Sequence, residues 1–311
     1  MDVLSVGRVS VDLYAKEAYA GFDSQQSFTK SIGGSPTNVA VACAQLGLDV
    51  ALATNVGDDA FGQYVIQKLG QFGVDSSFIG TVENTQTPLA FAALTPPETP
   101  TVVFYRGVEA PDTQLTQDSV PASVVRETKI LWISQTSLSQ GTTAQSCLSW
   151  MAMREAGSHT ILDLDYRAKF WASKQDARAM ATSAIAMASI VVGNLEECEV
   201  ALGTTTALEA ADALLAAGVK LAIIKLGAEG VLMKSAQQMI VIPPHPVEVV
   251  CGLGSGDAFG AAVCYGLIND WDLEKIGTFA NASGALVATR LTCADAMPTV
   301  SELEKMLAGA A

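Results

Sequence analysis

The chain has 311 residues, half of them hydrophobic, which excludes intrinsic disorder and is enough for one large α/β domain with a substantial core. Lys plus Arg number 18 against 32 Asp plus Glu, a formal charge of −14, so a nucleic-acid partner lacks its basic footprint and any anionic ligand must be met by a few placed cations or helix N-termini. No run of about 18 apolar residues would span a bilayer, Met1-Asp2 makes no basic leader, and the six scattered cysteines read as reduced thiols, so a cytoplasmic protein with no membrane partner is expected.

Residues 3–6 read as a first strand, after which 11–32 shows poor helical periodicity. Ser35-Pro36 has the form of an N-cap followed by proline at N1, opening a helix over 37–46 that Gly47 closes. A strand at 50–54 follows. Residues 88–107 again break the alternation: β-prone runs flank Thr95-Pro96-Pro97-Glu98-Thr99-Pro100, a turn suited to a hairpin outside the main sheet. Strand-like runs at 130–134, 160–164, 190–192 and 221–225 come next, with helical stretches between several of them. Beyond Pro246 the pattern is mostly helical, through 257–268, 273–289 and 300–307. This alternation predicts an α/β fold, a doubly wound, mostly parallel sheet with helices on both faces. The two irregular regions, about 11–32 and 88–107, predict a small β-strand lid on a single domain spanning 1–311. The exposed edges of such a lid predict a homodimer.

The densest chemical signal is Gly252-Leu253-Gly254-Ser255-Gly256-Asp257-Ala258-Phe259-Gly260, a glycine-rich turn running into an apolar helix. Small residues let backbone N–H groups converge at the helix N-terminus, where the dipole favours a phosphate or a developing oxyanion. The competing account is a plain turn with Asp257 as a capping acid. Two other nucleotide-binding patterns are disfavoured: Val6-Gly7-Arg8-Val9 stands where a dinucleotide fingerprint would follow the first strand, and no Gly-Lys dipeptide exists to form a P-loop.

Taken together, Gly33-Gly34-Ser35-Pro36-Thr37-Asn38, Asn194-Leu195-Glu196-Glu197 and Gly254-Ser255-Gly256-Asp257 resemble the motifs of the ribokinase-like carbohydrate kinases, in the same order and over nearly the whole chain. Ser27-Phe28-Thr29-Lys30, Asp163-Leu164-Asp165-Tyr166-Arg167 followed by Phe170-Trp171, and Ala296-Met297-Pro298-Thr299 most resemble the members that act in inositol breakdown. The resemblance implies a ribokinase-like fold with Asp257 as catalytic base and the N–H groups of Gly254, Ser255 and Gly256 as the anion hole. It places Asn194 and Glu197 at Mg²⁺, Lys225, Gly227 and Gly230 at the nucleotide phosphates, and Asn281, with Ser283, at the adenine and ribose. Asp12, Gly33, Gly34 and Asn38 would hold sugar hydroxyls. Each has a plainer account: a solvated acidic helix turn for Glu197, a Lys225 reaching to solvent, an exposed loop acid for Asp12. The family usually carries Asp or Asn at the position of Cys251 and Ala at that of Ser255. So close to an anion-attracting turn, the Cys251 thiol is expected to be acidic and open to oxidation.

Arg106 and Arg167 stand out in a chain so poor in cations. Arg167 follows the strand carrying Asp163, at the ligand-bearing end of a doubly wound sheet, and a guanidinium forks onto a carboxylate that a neutral sugar lacks. The alternative is a structural pair of Arg167 with Asp163 or Asp165. The expectation is therefore a kinase transferring the γ-phosphoryl group of ATP, with Mg²⁺, to the primary hydroxyl of a small sugar acid, 5-dehydro-2-deoxygluconate. The alternatives are 2-keto-3-deoxygluconate, fructose, or a silent sugar- or nucleotide-binding regulator.

Overall fold

In the computed structural model, which describes residues 1–107, 109–155 and 157–309, the strands form two sheets. The larger has nine, in the order β13 (Met239–Ile242), β12 (Val231–Ser235), β11 (Leu221–Lys225), β10 (Ile190–Asn194), β9 (His159–Asp163), β8 (Ile130–Ser134), β1 (Val3–Val6), β4 (Val50–Gly57) and β5 (Ile79–Val82). All neighbours are parallel from β11 to β5, while β12 and β13 add an antiparallel edge. Short runs such as 239–242 carry too little periodicity to be read as strands from sequence.

The inner strands are apolar on both faces because both are covered. Val3, Trp132, Ile161, Val192 and Ile223 point into one core, closed by α1 (Ser35–Gln45), α2 (Ala60–Phe72), α8 (Ser255–Ile268), α9 (Leu273–Ala288) and α10 (Val300–Leu307). Their sequence neighbours Leu4, Ile133, Leu162, Val191 and Ile224 point into a second core. That core is closed by α3 (Ala122–Glu127), α4 (Gly141–Ala152), α5 (Lys174–Ile185), α6 (Leu195–Leu202) and α7 (Ala207–Ala216). The period of two thus decides which layer each side chain meets.

The smaller sheet has the order β3 (Phe28–Gly33), β2 (Ser10–Ala15), β6 (Leu89–Ala93), β7 (Thr101–Tyr105), drawn from the two regions where helical periodicity fails. In the large sheet β1 lies between β4 and β8, so the chain winds away from it in both directions. This is the topological switch point, where a doubly wound sheet leaves a crevice beyond the carboxyl ends of its strands. Among the described residues no helix is long and apolar enough to cross a membrane.

The N-cap expected at Ser35 is corrected: the cap is Gly34, with φ at 101°, and Ser35 is already the first helical residue. A Cβ at Gly34 would collide with the carbonyl of Arg8, so a side chain is excluded both by the left-handed conformation and by the approach of the first loop. A second close approach fixes α8 to the sheet. Gly260 lies against the buried indole of Trp132 on β8, where a Cβ would overlap the ring. Replacing Gly260 by Ala should therefore lower stability by about 1–3 kcal/mol, the usual cost of overpacking, despite the better helix propensity of Ala. A thermal melt of the variant checks this, and an unchanged or raised midpoint would show that the ring yields freely.

Candidate active site

Strand alternation delivers two charged side chains to the α8 side of the crevice. Asp163 ends β9 with the parity of Ile161, and Lys225 ends β11 with the parity of Ile223. The Lys225 Nζ lies 3.7 Å from an Asp163 carboxylate oxygen and 3.9 Å from one of Glu197. It stops 3.3 Å from where a Cβ on Gly256 would sit. The reading of Lys225 as a lysine reaching to solvent is thus overturned. Burial disfavours its charge, but Asp163, Glu197 and Asp257 outweigh that and hold its pKa above the ordinary lysine value. Asp163 is the reverse case: burial, abetted by Glu197 and Asp165, drives its carboxyl up in spite of Lys225. Its Oδ1 is buried and accepts no hydrogen bond among the described residues.

The glycine-rich turn ends at Gly254, which caps α8 in the left-handed conformation, so Ser255, Gly256 and Asp257 form its first turn. The Ser255 hydroxyl donates back to the carbonyl of Gly252 at 3.0 Å and leaves the mouth of the helix clear. Asp257 accepts from the Asn38 amide at 2.7 Å. Desolvation in the crevice and the neighbouring Asp165 push its carboxyl up to about 6, although Asn38 and Arg167 pull the other way. The acidic thiol expected at Cys251 is not found. The residue is fully buried, four positions before α8 begins, and burial raises its pKa.

Asn194 and Glu197 cap each other. The Asn194 side chain accepts the Glu197 N–H at 2.9 Å, and a Glu197 carboxylate oxygen accepts the Asn194 N–H at 2.8 Å. The solvated acidic turn proposed as the plainer account holds for the exposed Glu196 and Glu199, whereas Glu197 is buried and faces Lys225 and Arg167. Arg167 bonds Asp165 at 2.8 Å, as the structural-pair alternative had it, and reaches within 3.9 Å of Glu197. Burial alone would raise Asp165, yet Arg167, Arg8 and the Thr136 hydroxyl hold it below the ordinary carboxylate range.

On the other side of Asp257 lie Asp12 and the first glycines. Asp12 is no loop acid: it sits in β2, half-buried, accepting from Ser10 at 2.6 Å and lying 3.0 Å from the Tyr14 hydroxyl. Its carboxylate occupies the place where a Cβ on Gly33 would stand. Arg106, on the loop after β7, forks onto both oxygens of Asp112 at 2.6 and 2.5 Å, and both side chains are buried.

Gly227 and Gly230 bound the short turn from β11 into β12, both with positive φ. Asn281 spends its amide donors on the carbonyls of Ile242 and Pro243, at 3.3 and 2.7 Å, so it pins the end of β13 rather than offering a free donor. Residues 33–38, 194–197, 225 and 254–257 therefore meet in one crevice, with Asn281 as a prop at its rim. Sequence reasoning missed two residues there. Asp163 was legible as an acid ending a buried strand. Arg8 was legible as a lone cation in Ser5-Val6-Gly7-Arg8-Val9, a stretch that is otherwise buried throughout.

The model of the pfkB family carbohydrate kinases matches residues 1–300. A protein of Shouchella clausii named 5-dehydro-2-deoxygluconokinase is 31% identical over 98% of this chain and 95% of its own. Another of that name, from Clostridium tetani, is 31% identical over 99% and 93%. Among solved structures, aminoimidazole riboside kinase of Salmonella enterica, in complex with aminoimidazole riboside and an ATP analogue, superposes with a TM-score of 0.83 at 27% identity, covering 99% of each chain. The ribokinase-like fold expected from the motifs is the fold found. With the family model matched over residues 1–300 and relatives of 31% identity covering nearly the whole chain, this chain belongs to the pfkB family of carbohydrate kinases.

Proposed function

We propose that this kinase transfers the γ-phosphoryl group of ATP to the primary hydroxyl of a small sugar acid, 5-dehydro-2-deoxygluconate. The observation that carries the reading is the placement of Asp257, a carboxylate of raised pKa in the first turn of α8, beside Asn38 and opposite Lys225. Its relatives' name supplies the sugar acid, and the guanidinium of Arg8 near Asp165 supplies positive charge that such a substrate needs.

In this mechanism the sugar lies between Asp12, Gly33 and Asn38, with its hydroxyl against Asp257. As the oxygen attacks the γ-phosphorus and the bond to the ADP oxygen breaks, Asp257 accepts the hydroxyl proton. The N–H groups of Gly254, Ser255 and Gly256 face the charge that develops on the phosphoryl oxygens, and Lys225 supplies a point charge beside them. Gly227 and Gly230 shape the turn that borders the nucleotide. No group of three or more His, Cys, Asp or Glu among the described residues forms a cage for a resident ion. A magnesium ion carried in on ATP fits what is present, because Asp163 offers a buried carboxylate oxygen without a donor and Glu197 faces the same space. Asp163, Glu197 and Asn194 would hold it, largely through waters, and when bound it neutralises phosphate charge. The smaller sheet serves as the lid over the sugar, and a second copy pairing along its edges β3 and β7 is our proposal for the assembly.

Asp257→Asn should lower kcat by roughly 10²–10⁴-fold with little change in nucleotide affinity. A variant within a few-fold of wild type would remove Asp257 from the chemistry. Because the base must be ionised, kcat/KM should fall as pH drops through about 6, where Asp257 takes up a proton. Asn38 stabilises the ionised form, so Asn38→Leu should move this limb to higher pH, and a limb that stays in place would detach Asn38 from the base. Glu197→Gln keeps an acceptor for the Asn194 N–H but drops a charge. The Mg²⁺ concentration giving half-maximal rate should rise while the melting temperature holds, and an unchanged titration would confine Glu197 to its cap.

A further inference from the structure

Arg8 follows β1, at the switch point of the large sheet, and is only 7% exposed. Its Nε is buried without a partner, and the guanidinium donates no hydrogen bond and meets no carboxylate within ion-pair distance among the described residues. What it touches instead are aromatic faces. Its central carbon lies 5.2 Å from the ring centroid of Phe104, on β7 of the smaller sheet, and 4.9 Å from that of Phe170. The two rings meet edge to face at 5.1 Å, so together they bracket the guanidinium from two sides.

The other two arginines of the crevice are already neutralised. Arg106, which shares the ring of Phe170 at 5.3 Å, forks onto Asp112, and Arg167 bonds Asp165. Arg8 is left as the cation with no carboxylate in direct contact, although Asp165 and Asp112 act on it from further off. A buried charge that touches only aromatic faces and makes no hydrogen bond recovers little of its lost hydration, and a ligand carboxylate would complete it. The neighbours identify where that ligand lies. The Arg8 carbonyl accepts from Thr37 at 3.0 Å and abuts Gly34, and the Arg8 charge acts on both Asp12 and Asp165.

We infer that Arg8 is the specificity-determining residue that receives the carboxylate of the sugar-acid substrate, with Phe104 and Phe170 bracketing its guanidinium and leaving its donors free for a forked contact. The role rests on the sugar-acid reading above. It reassigns the recognition first placed on Arg106 and Arg167: those two, each tied to an acid, build the wall, and Arg8 carries the free charge. Phe104 belongs to the smaller sheet and Phe170 to the loop after β9, so the rings bring both sides of the crevice to the same cation.

The test compares wild type, Arg8→Met and Arg8→Lys on 5-dehydro-2-deoxygluconate, 2-keto-3-deoxygluconate and neutral fructose, with Mg·ATP, alongside a thermal melt of each apo protein. Arg8→Met keeps the length over the rings and removes the charge. The ratio of kcat/KM on either acid to that on fructose should fall by roughly 10- to 200-fold, the worth of a charge-assisted contact, with Arg8→Lys between the two. The melting temperature of Arg8→Met should hold or rise, since an unpaired buried charge has been removed. If wild type prefers the acids and Arg8→Met leaves the ratio unchanged, the role is overturned and the substrate reading stands. A drop in melting temperature with equal loss on all three substrates would make Arg8 a structural residue and also overturn it. A wild type that prefers fructose would overturn the sugar-acid reading, and with it this role.

Discussion

One ammonium organises the crevice. Lys225 stands among Asp163, Glu197 and Asp257 in a chain of charge −14, and without it these buried acids would face one another with no positive charge between them. Its contacts with Asp163 and Glu197, at 3.7 and 3.9 Å, are longer than hydrogen bonds. The lysine holds them electrostatically without saturating its donors, which in the proposed mechanism are left for a phosphate oxygen. The same looseness leaves Asp163 with an oxygen that accepts no hydrogen bond among the described residues, the one the proposed mechanism gives to a hard cation. A tight Lys–Asp pair would have closed both options.

The two ends of the crevice are mechanically joined. The backbone N–H of Gly252 donates to the carbonyl of Pro97 at 2.9 Å, so the hairpin of the smaller sheet rests on the anion turn. Below it, Gly254 packs against Cys293, and the Tyr14 hydroxyl lies 2.9 Å from the Cys293 sulfur and 3.0 Å from Asp12. Asp12 and Gly254, which the proposed mechanism sets against the sugar and the phosphate, thereby share one buried scaffold. This gives a physical setting for Cys251 and Ser255, the two departures from the usual family pattern. Cys251 is packed into the core behind the turn, and Ser255 turns its hydroxyl onto the turn's own backbone. Neither alters the row of N–H groups at the mouth of α8.

The fold was legible where periodicity is strong and buried on both faces: 3–6, 130–134 and 221–225 coincide with β1, β8 and β11. It was illegible where long-range contact decides, as at Gly34, whose cap is imposed by the distant Arg8 carbonyl, and at β13, whose pairing is supplied by β12. Charged residues divide in the same way. Asp257 and Lys225 could be placed because a turn and a strand end fix them locally. The pairing of Arg106 with Asp112, six residues on, needs the turn that the loop after β7 makes, and the setting of Arg8 against Phe104 and Phe170 depends on how two sheets meet, which no local spacing encodes.

Arginine pairing explains how so acidic a chain confines its attraction for an anion to one point. An arginine tied to a carboxylate contributes shape and donors but almost no net field. Arg106 with Asp112 and Arg167 with Asp165 therefore define the walls while leaving the local potential to whichever cation has no partner. Had all three been free, their mutual repulsion would strain the folded state; had all been paired, a bound carboxylate would meet no attraction. Setting one bare guanidinium on two aromatic rings, at the point where the sheet's winding reverses, confines the positive charge to the one place where it discriminates between substrates.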